Sequence, residues 1–304
     1  DFSDLTKSLP KILWHMEFPF GRPSILSNYM VSQAIKKHVT VAYTGEGSDE
    51  LFGGYNRYLP FVKDNASFER GKNLEIISSG FFKNEEFRSN TFSKNVLQHY
   101  MNKNHPSNVF GKIIQKYPEH NTLNKALLFE LKTEIPGAQT WRIDRTGSAH
   151  AIELREPFLD YKLVEFSASI PPNLKINEKF NFSKKYILQK IASDLLPEKI
   201  VKRKKFPWGI PFYDYFKKEF LPIAGSIIEK SIKNKRSYLN LESIKLDSLT
   251  KKISNSNIQN SKEKEMDDNV LRQTMFLFNL ELWHQIFLDQ DNFKNPILDI
   301  NKFV

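Results

Sequence analysis

The run Val41-Ala42-Tyr43-Thr44-Gly45-Glu46-Gly47-Ser48-Asp49-Glu50-Leu51-Phe52-Gly53-Gly54-Tyr55 constrains this chain more than any other stretch. An apolar β-type segment runs into a glycine-bracketed turn, and a helix-like segment follows at once. Gly45 and Gly47 allow a sharp bend and a close approach of backbone to a ligand. Ser48 is placed to cap the next helix, whose first amides then face outward. Such a turn can hold a nucleotide phosphate while a carboxylate such as Asp49 carries its magnesium ion. The plainer alternative is that Asp49 and Glu50 only complement a helix dipole. That accounts for acids in a first helical turn, but not for Glu46 in the loop before it. Two common nucleotide loops are excluded. The dinucleotide fingerprint needs glycine where Glu50 stands, and no G-x-x-x-x-G-K-[ST] occurs anywhere.

The surrounding order supports an α/β reading. Leu5 to Phe18 reads as helix then loop. Ser24 is a candidate cap for an amphipathic helix running to about Lys37, and His38 to Tyr43 reads as a short buried strand. Helix, strand, turn and helix fit a parallel sheet with its ligand at the strand's carboxyl end. Beyond Tyr55 no strand stands out, and Phe61 to Leu131 reads as several helices. Lys184 to Leu196 reads as an amphipathic helix, capped by Ser183 and closed by Pro197. Asn240 to Met266 reads as a polar surface excursion, and Asp267 to Asp289 as a last long helix. A single strand cannot make a sheet. We therefore expect the other strands to come from sequence upstream of Asp1, with this chain as the carboxyl-terminal piece of a longer protein.

Bulk properties narrow the function. At 304 residues, 40% hydrophobic and 26% charged, the chain is long enough for one or two ordinary domains. It has no cysteine, which excludes thiolate metal sites and cysteine nucleophiles and fits a reducing, cytoplasmic setting. No stretch reads as a membrane span. The formal net charge of +10 and the tetrad Lys202-Arg203-Lys204-Lys205 raise the question of nucleic acid. The 35 acids interleaved with the lysines favour a lysine-rich surface instead, and we expect no nucleic-acid partner. The seven histidines show no zinc-ligand spacing.

Two further segments are dense in chemistry. Trp141 to Asp160 contains Arg142, Asp144, Arg145, Glu153 and Arg155, which can equally be a buried ion-pair cluster bracing two helices. Asp160 reads as a helix cap. Ile200 to Phe206 offers a lysine as a mobile charge for a phosphate.

In order, the three segments resemble the synthetase half of glutamine-dependent asparagine synthetases. The family pattern S/T-G-E-G-x-D-E-L-F-x-G-Y stands as Thr44 to Tyr55. R-x-D-R…E-x-R-x-P-F-L-D stands as Arg142 to Asp160, and leucine-proline followed by R-x-K as Leu196-Pro197 with Arg203-Lys204-Lys205. The approach Glu17 to Ser24 and the final Asn279 to His284 are similar too. The resemblance weakens over Phe61 to Asn121 and over the polar excursion.

The resemblance implies the carboxyl-terminal part of an adenine-nucleotide α-hydrolase-like (ATP pyrophosphatase) domain: α/β, mostly helical in this segment, with an incomplete parallel sheet. Residues 1–60 would hold the α/β nucleotide-site part and 61–304 the mainly helical part. It implies ATP and Mg2+. The β-carboxylate of aspartate is adenylated, and ammonia released from glutamine by a separate glutaminase domain displaces AMP to give asparagine. Thr44, Gly45, Gly47, Ser48 and Arg203 would lie against the nucleotide, and Asp49 would hold magnesium. Glu46 would orient the amine or accept its proton, and Lys205 would stabilise phosphoanhydride charge. Glu153 would match a proton-handling carboxylate of related β-lactam-forming enzymes, or pair with Arg142 or Arg145. A homodimer is compatible with the family.

The chain also departs from the pattern. Phe18 replaces an acidic residue, and Gly147-Ser148 stands where serine-methionine is usual. The phosphate-gripping S-G-G-x-D-S loop and the glutaminase domain with its cysteine are absent from this sequence. Alone, the chain is expected neither to hydrolyse glutamine nor to bind ATP tightly. A β-lactam synthetase, a lasso-peptide cyclase, or a degenerate non-enzymatic domain remain as alternatives.

Overall fold

The computed structural model describes residues 2–63, 85–103, 111–112, 115–117, 121–180, 183–203, 219–240, 261–290 and 295–303. Apolar residues at helical spacing build most of it. In α1 (Phe2–Met16), Leu5, Leu9, Ile12, Leu13 and Met16 fall on one face and are buried. They pack with Ile25, Leu26 and Tyr29 of α2 (Ser24–Ile35). The chain then forms β1 (Val41–Tyr43), α3 (Ser48–Phe52), α4 (Pro60–Lys63), α5 (Glu85–Thr91) and α6 (Lys94–Lys103). The helix α7 (Thr122–Lys132) starts at Asn121, whose side chain accepts from the Asn124 amide at 2.9 Å. A π-type turn over Ile135–Gln139 leads into α8 (Thr140–Ser148).

Next come β2 (Glu153–Arg155), α9 (Tyr161–Ser169), α10 (Pro172–Lys175), the two-residue strands β3 (Ile176–Asn177) and β4 (Ser183–Lys184), α11 (Tyr186–Leu195) and α12 (Glu198–Val201). The described chain closes with α13 (Leu221–Lys233) and α14 (Ser261–Phe287). Phe220, Ala224, Ile227 and Ile228, with Met275, Phe278, Leu282 and Ile286, complete the core begun by α1 and α2. A smaller core of Leu51, Phe52 and Ile170 seats α3. Among the described residues no helix is long and apolar enough to cross a membrane.

The sheet corrects the reading of a lone buried strand. β1 pairs in parallel with β2, Val41 opposite Glu153, Ala42 opposite Leu154 and Tyr43 opposite Arg155. Three residues reading Glu-Leu-Arg are too short and too polar to show a strand period. β1 itself is not buried: Val41 is exposed and Tyr43 is 73% exposed. Because β2 lies far beyond residue 60, the α/β layer draws on residues from both stretches of the expected division.

Local capping differs as well. Pro23, not Ser24, precedes α2, and Ser24 turns its hydroxyl to Arg142. Ser183 binds Gln189, and α11 begins after Lys185 in a left-handed conformation (φ 52°). Asp160 does cap α9, accepting from the Lys162 amide at 3.0 Å. The last helix begins at Ser261 rather than Asp267, while 241–260 of the polar excursion lie outside the described residues.

Candidate functional site

The turn after β1 is set by backbone geometry. Gly47 sits at φ 88°, and a Cβ there would lie 2.3 Å from Leu159 Cδ2, so glycine is required twice over. Gly45 has no atom within 4 Å of where a Cβ would stand, so that side of the turn is open. Ser48 does not cap α3. Gly47 precedes the helix, and Ser48 is its first residue. The Ser48 hydroxyl donates to the Gly45 carbonyl at 2.9 Å and accepts from Lys185 Nζ at 2.9 Å.

Lys185 is a site residue that sequence reasoning missed. Its ammonium lies 3.0 Å from Asp49 Oδ1, so Asp49 is neutralised by a lysine of the same chain. The pair packs directly over Gly54, where a Cβ would stand 1.7 Å from Asp49 Oδ1 and 2.4 Å from Lys185 Cε. Lysines are scattered along the whole chain, so composition carried no signal for this one. The Gly53-Gly54 doublet did, since it leaves space for whatever packs there.

Glu46 faces α8. Arg142 Nη2 donates to Glu46 Oε1 at 2.8 Å, and Nη1 donates to Ser24 Oγ at 3.1 Å. Burial pushes the Glu46 carboxyl above the usual carboxylate range against the pull of Arg142. A second missed carboxylate, Glu156, stands within electrostatic reach of Glu46, Arg142 and Asp144. Burial first and then Glu46 raise its pKa too. Thr44 Oγ1, Arg142 Nε and Glu156 Oε1 are all buried and without a hydrogen-bond partner. Buried polar atoms are almost always satisfied, so three orphans around one turn make it the candidate site.

Four of the five alternating charges of the second segment form separate pairs rather than one cluster. Arg142 meets Glu46, Arg145 meets Glu17 at 2.9 Å, and Arg155 meets Glu153 at 2.7 Å. Glu153 is exposed and pairs with Arg155, not with Arg142 or Arg145. Phe18 packs against Trp141 with ring centroids 4.0 Å apart and the rings tilted by 39°. Arg203 is exposed just beyond α12, and Lys205 lies outside the described residues.

The magnesium expectation finds limited support. Among the described residues no group of three or more histidines and carboxylates could hold a metal. Asp49 offers one carboxylate, already engaged by Lys185. Magnesium is commonly held by one or two carboxylates plus substrate phosphates. The described residues therefore show no magnesium site.

Behind the turn lies a buried polar network. Glu50 accepts from Tyr55 Oη at 2.8 Å and from Gln139 Nε2 at 2.5 Å. Arg57 forks onto Glu130 with two bonds of 2.7 Å, and Tyr58 Oη donates to the same carboxylate. Lys175 is buried, donates to Asn124 Oδ1 at 2.9 Å, and is pushed by burial down to about 8. These contacts tie the turn to α7. Apart from Tyr55 and Glu50, their partners are too far apart in sequence for spacing to show them.

Comparison with known proteins shows the family. The family model for asparagine synthase matches residues 1–285. Asparagine synthetase (glutamine-hydrolyzing) 1 of Bacillus subtilis is 30% identical over 252 residues, covering 73% of this chain and 39% of that protein. Asparagine synthetase (glutamine-hydrolyzing) 2 of the same organism is 28% identical over 223 residues, covering 66% and 26%. The Gallus gallus asparagine synthetase (glutamine-hydrolyzing) is 42% identical over 95 residues, covering 30% and 16%. The chain thus spans two fifths or less of the length of these relatives. With its mostly helical build and small parallel sheet, this chain belongs to the asparagine synthase family.

Proposed function

We propose that the chain carries part of the synthetase centre of an ATP-dependent ligase that makes asparagine. The observation that carries this is the Arg142–Glu46 pair above an open turn at the carboxyl end of a parallel strand, ringed by unpaired polar atoms. In this reading the domain is of the ATP pyrophosphatase type. The exposed face of Val41 and Tyr43 meets the strands that the family resemblance places upstream.

A side-chain carboxylate oxygen of aspartate attacks the α-phosphorus of ATP, and pyrophosphate leaves. Ammonia derived from glutamine then attacks the acyl carbon, the bond to AMP breaks, and a carboxylate takes the surplus proton. Thr44, Gly45, Gly47, Ser48 and Arg203 are assigned to the nucleotide and Asp49 to magnesium, which would offset phosphate charge when bound. Lys185 and Lys205 stabilise charge at the phosphoanhydride. Glu46 is the base: its pKa is raised by burial, yet Arg142 holds it in place as a charged acceptor. Glu153, exposed and paired outward, is assigned a structural role.

The test is aspartate-dependent formation of AMP and asparagine by the full-length protein supplied with ATP and either glutamine or ammonium. Absence of aspartate-dependent pyrophosphate exchange into ATP would overturn the proposal.

A further inference from the structure

The end of β2 holds a group that the proposed chemistry has not yet used. Arg155 closes the strand, and its carbonyl accepts the Thr44 amide at 2.8 Å. Glu156 is therefore level with the turn, at the carboxyl end of both parallel strands, where α/β sheets bind ligands. Its Oε1 is sealed from solvent and has no hydrogen-bond partner.

The charges around it do not balance. Among the described residues Arg142 is the cation facing both Glu46 and Glu156, and its Nη groups are committed to Glu46 and Ser24. Asp144 adds a further negative charge in reach. Among the described residues one guanidinium serves several carboxylates, so positive charge is outnumbered in the cleft. A primary ammonium, with three donors and a compact charge, supplies what is missing. The raised carboxyl of Glu156, held up by burial and by Glu46, is consistent with a charge whose counter-ion arrives from outside.

We propose that Glu156 reads the α-ammonium group of the acceptor amino acid, and so selects an amino acid over a plain dicarboxylic acid. This rests on the aspartate-adenylating reading of the site. Glu156 touches the substrate away from the reacting carboxylate, so its loss weakens acceptor binding and leaves nucleotide binding intact.

The experiment compares wild type, Glu156→Gln and Glu156→Asp in the full-length protein. Aspartate-dependent and succinate-dependent pyrophosphate exchange are measured, with KM for aspartate and for ATP. Glutamine is isosteric but uncharged, and losing a hydrogen bond between charged groups costs about 10- to 100-fold in affinity. Glu156→Gln is expected to raise KM for aspartate by that factor, to lower the preference for aspartate over succinate equally, and to leave KM for ATP within about twofold. Glu156→Asp keeps the charge and should recover part of the preference. An unchanged preference in an active Glu156→Gln variant overturns this inference alone, as does a parallel rise in KM for ATP. A wild type without aspartate-dependent exchange removes the adenylation reading and this inference with it.

Discussion

The cleft around Arg142 and the cluster around Arg236 are built from the same residue types and serve different ends. Arg236 is 10% exposed and commits every nitrogen. Nε and Nη2 fork onto Glu281 at 3.0 and 2.8 Å, and Nη1 and Nη2 hold Asp289 at 3.1 and 2.5 Å. Glu281 also accepts from Tyr238 and Gln285. Arg142 is equally buried, at 11%, but leaves Nε unpaired beside two carboxylates of raised pKa. A closed network stabilises a fold, and an open one is completed by a ligand. The difference lies in satisfied valence, not in charge or depth.

Breaking the closed network should have the largest effect. Arg236→Met leaves Glu281 buried without a counter-ion and should lower stability by about 3–5 kcal/mol in denaturant titration. Activity per folded molecule should be retained. Arg142→Lys cannot hold Glu46 and Ser24 at once as the two Nη groups do, and should cost on the order of 10²–10³ in amide formation, with stability changed by less than about 1 kcal/mol. A stability loss as large as that of Arg236→Met would erase the contrast between the two sites.

Lys175 sharpens the comparison through pH. Burial lowers its pKa to about 8, so between there and the ordinary lysine range the unfolded chain binds the extra proton. Stability therefore rises with pH across that window, by at most about 3 kcal/mol. Below it the lysine is charged in both states, and the full cost of burying it is felt. Lys175→Met should remove the slope, seen by comparing urea midpoints near about pH 7 and pH 10. The smallest effect is expected for Glu153→Gln. Paired among the described residues with exposed Arg155, it should change amide formation by less than about threefold, and a tenfold loss would return Glu153 to proton transfer.

Much of the local structure was legible because its signals are local. Gly47 announces a left-handed turn, Asp160 a cap, and Leu5, Leu9 and Ile12 a helix face, each within a few neighbouring residues. Ser24, Ser48 and Ser183 were misread for the same reason. A serine before an apolar run offers a cap, but each hydroxyl went to a partner found only after folding or beyond the cap position. Lys185 and Glu156 were invisible as site residues, since neither sits in a distinctive pattern of its own.

The sequence by itself determined the acid-bearing turn, the main helices and the family, since backbone preference and helical periodicity are imposed by residues a few positions apart. Tertiary structure decided which charges meet. Arg142 lies 96 positions from Glu46 and Lys185 lies 137 from Ser48, and β2 becomes a strand only against β1. Such pairings depend on how the helices pack, because desolvation and counter-charge act through space and take no account of distance along the chain.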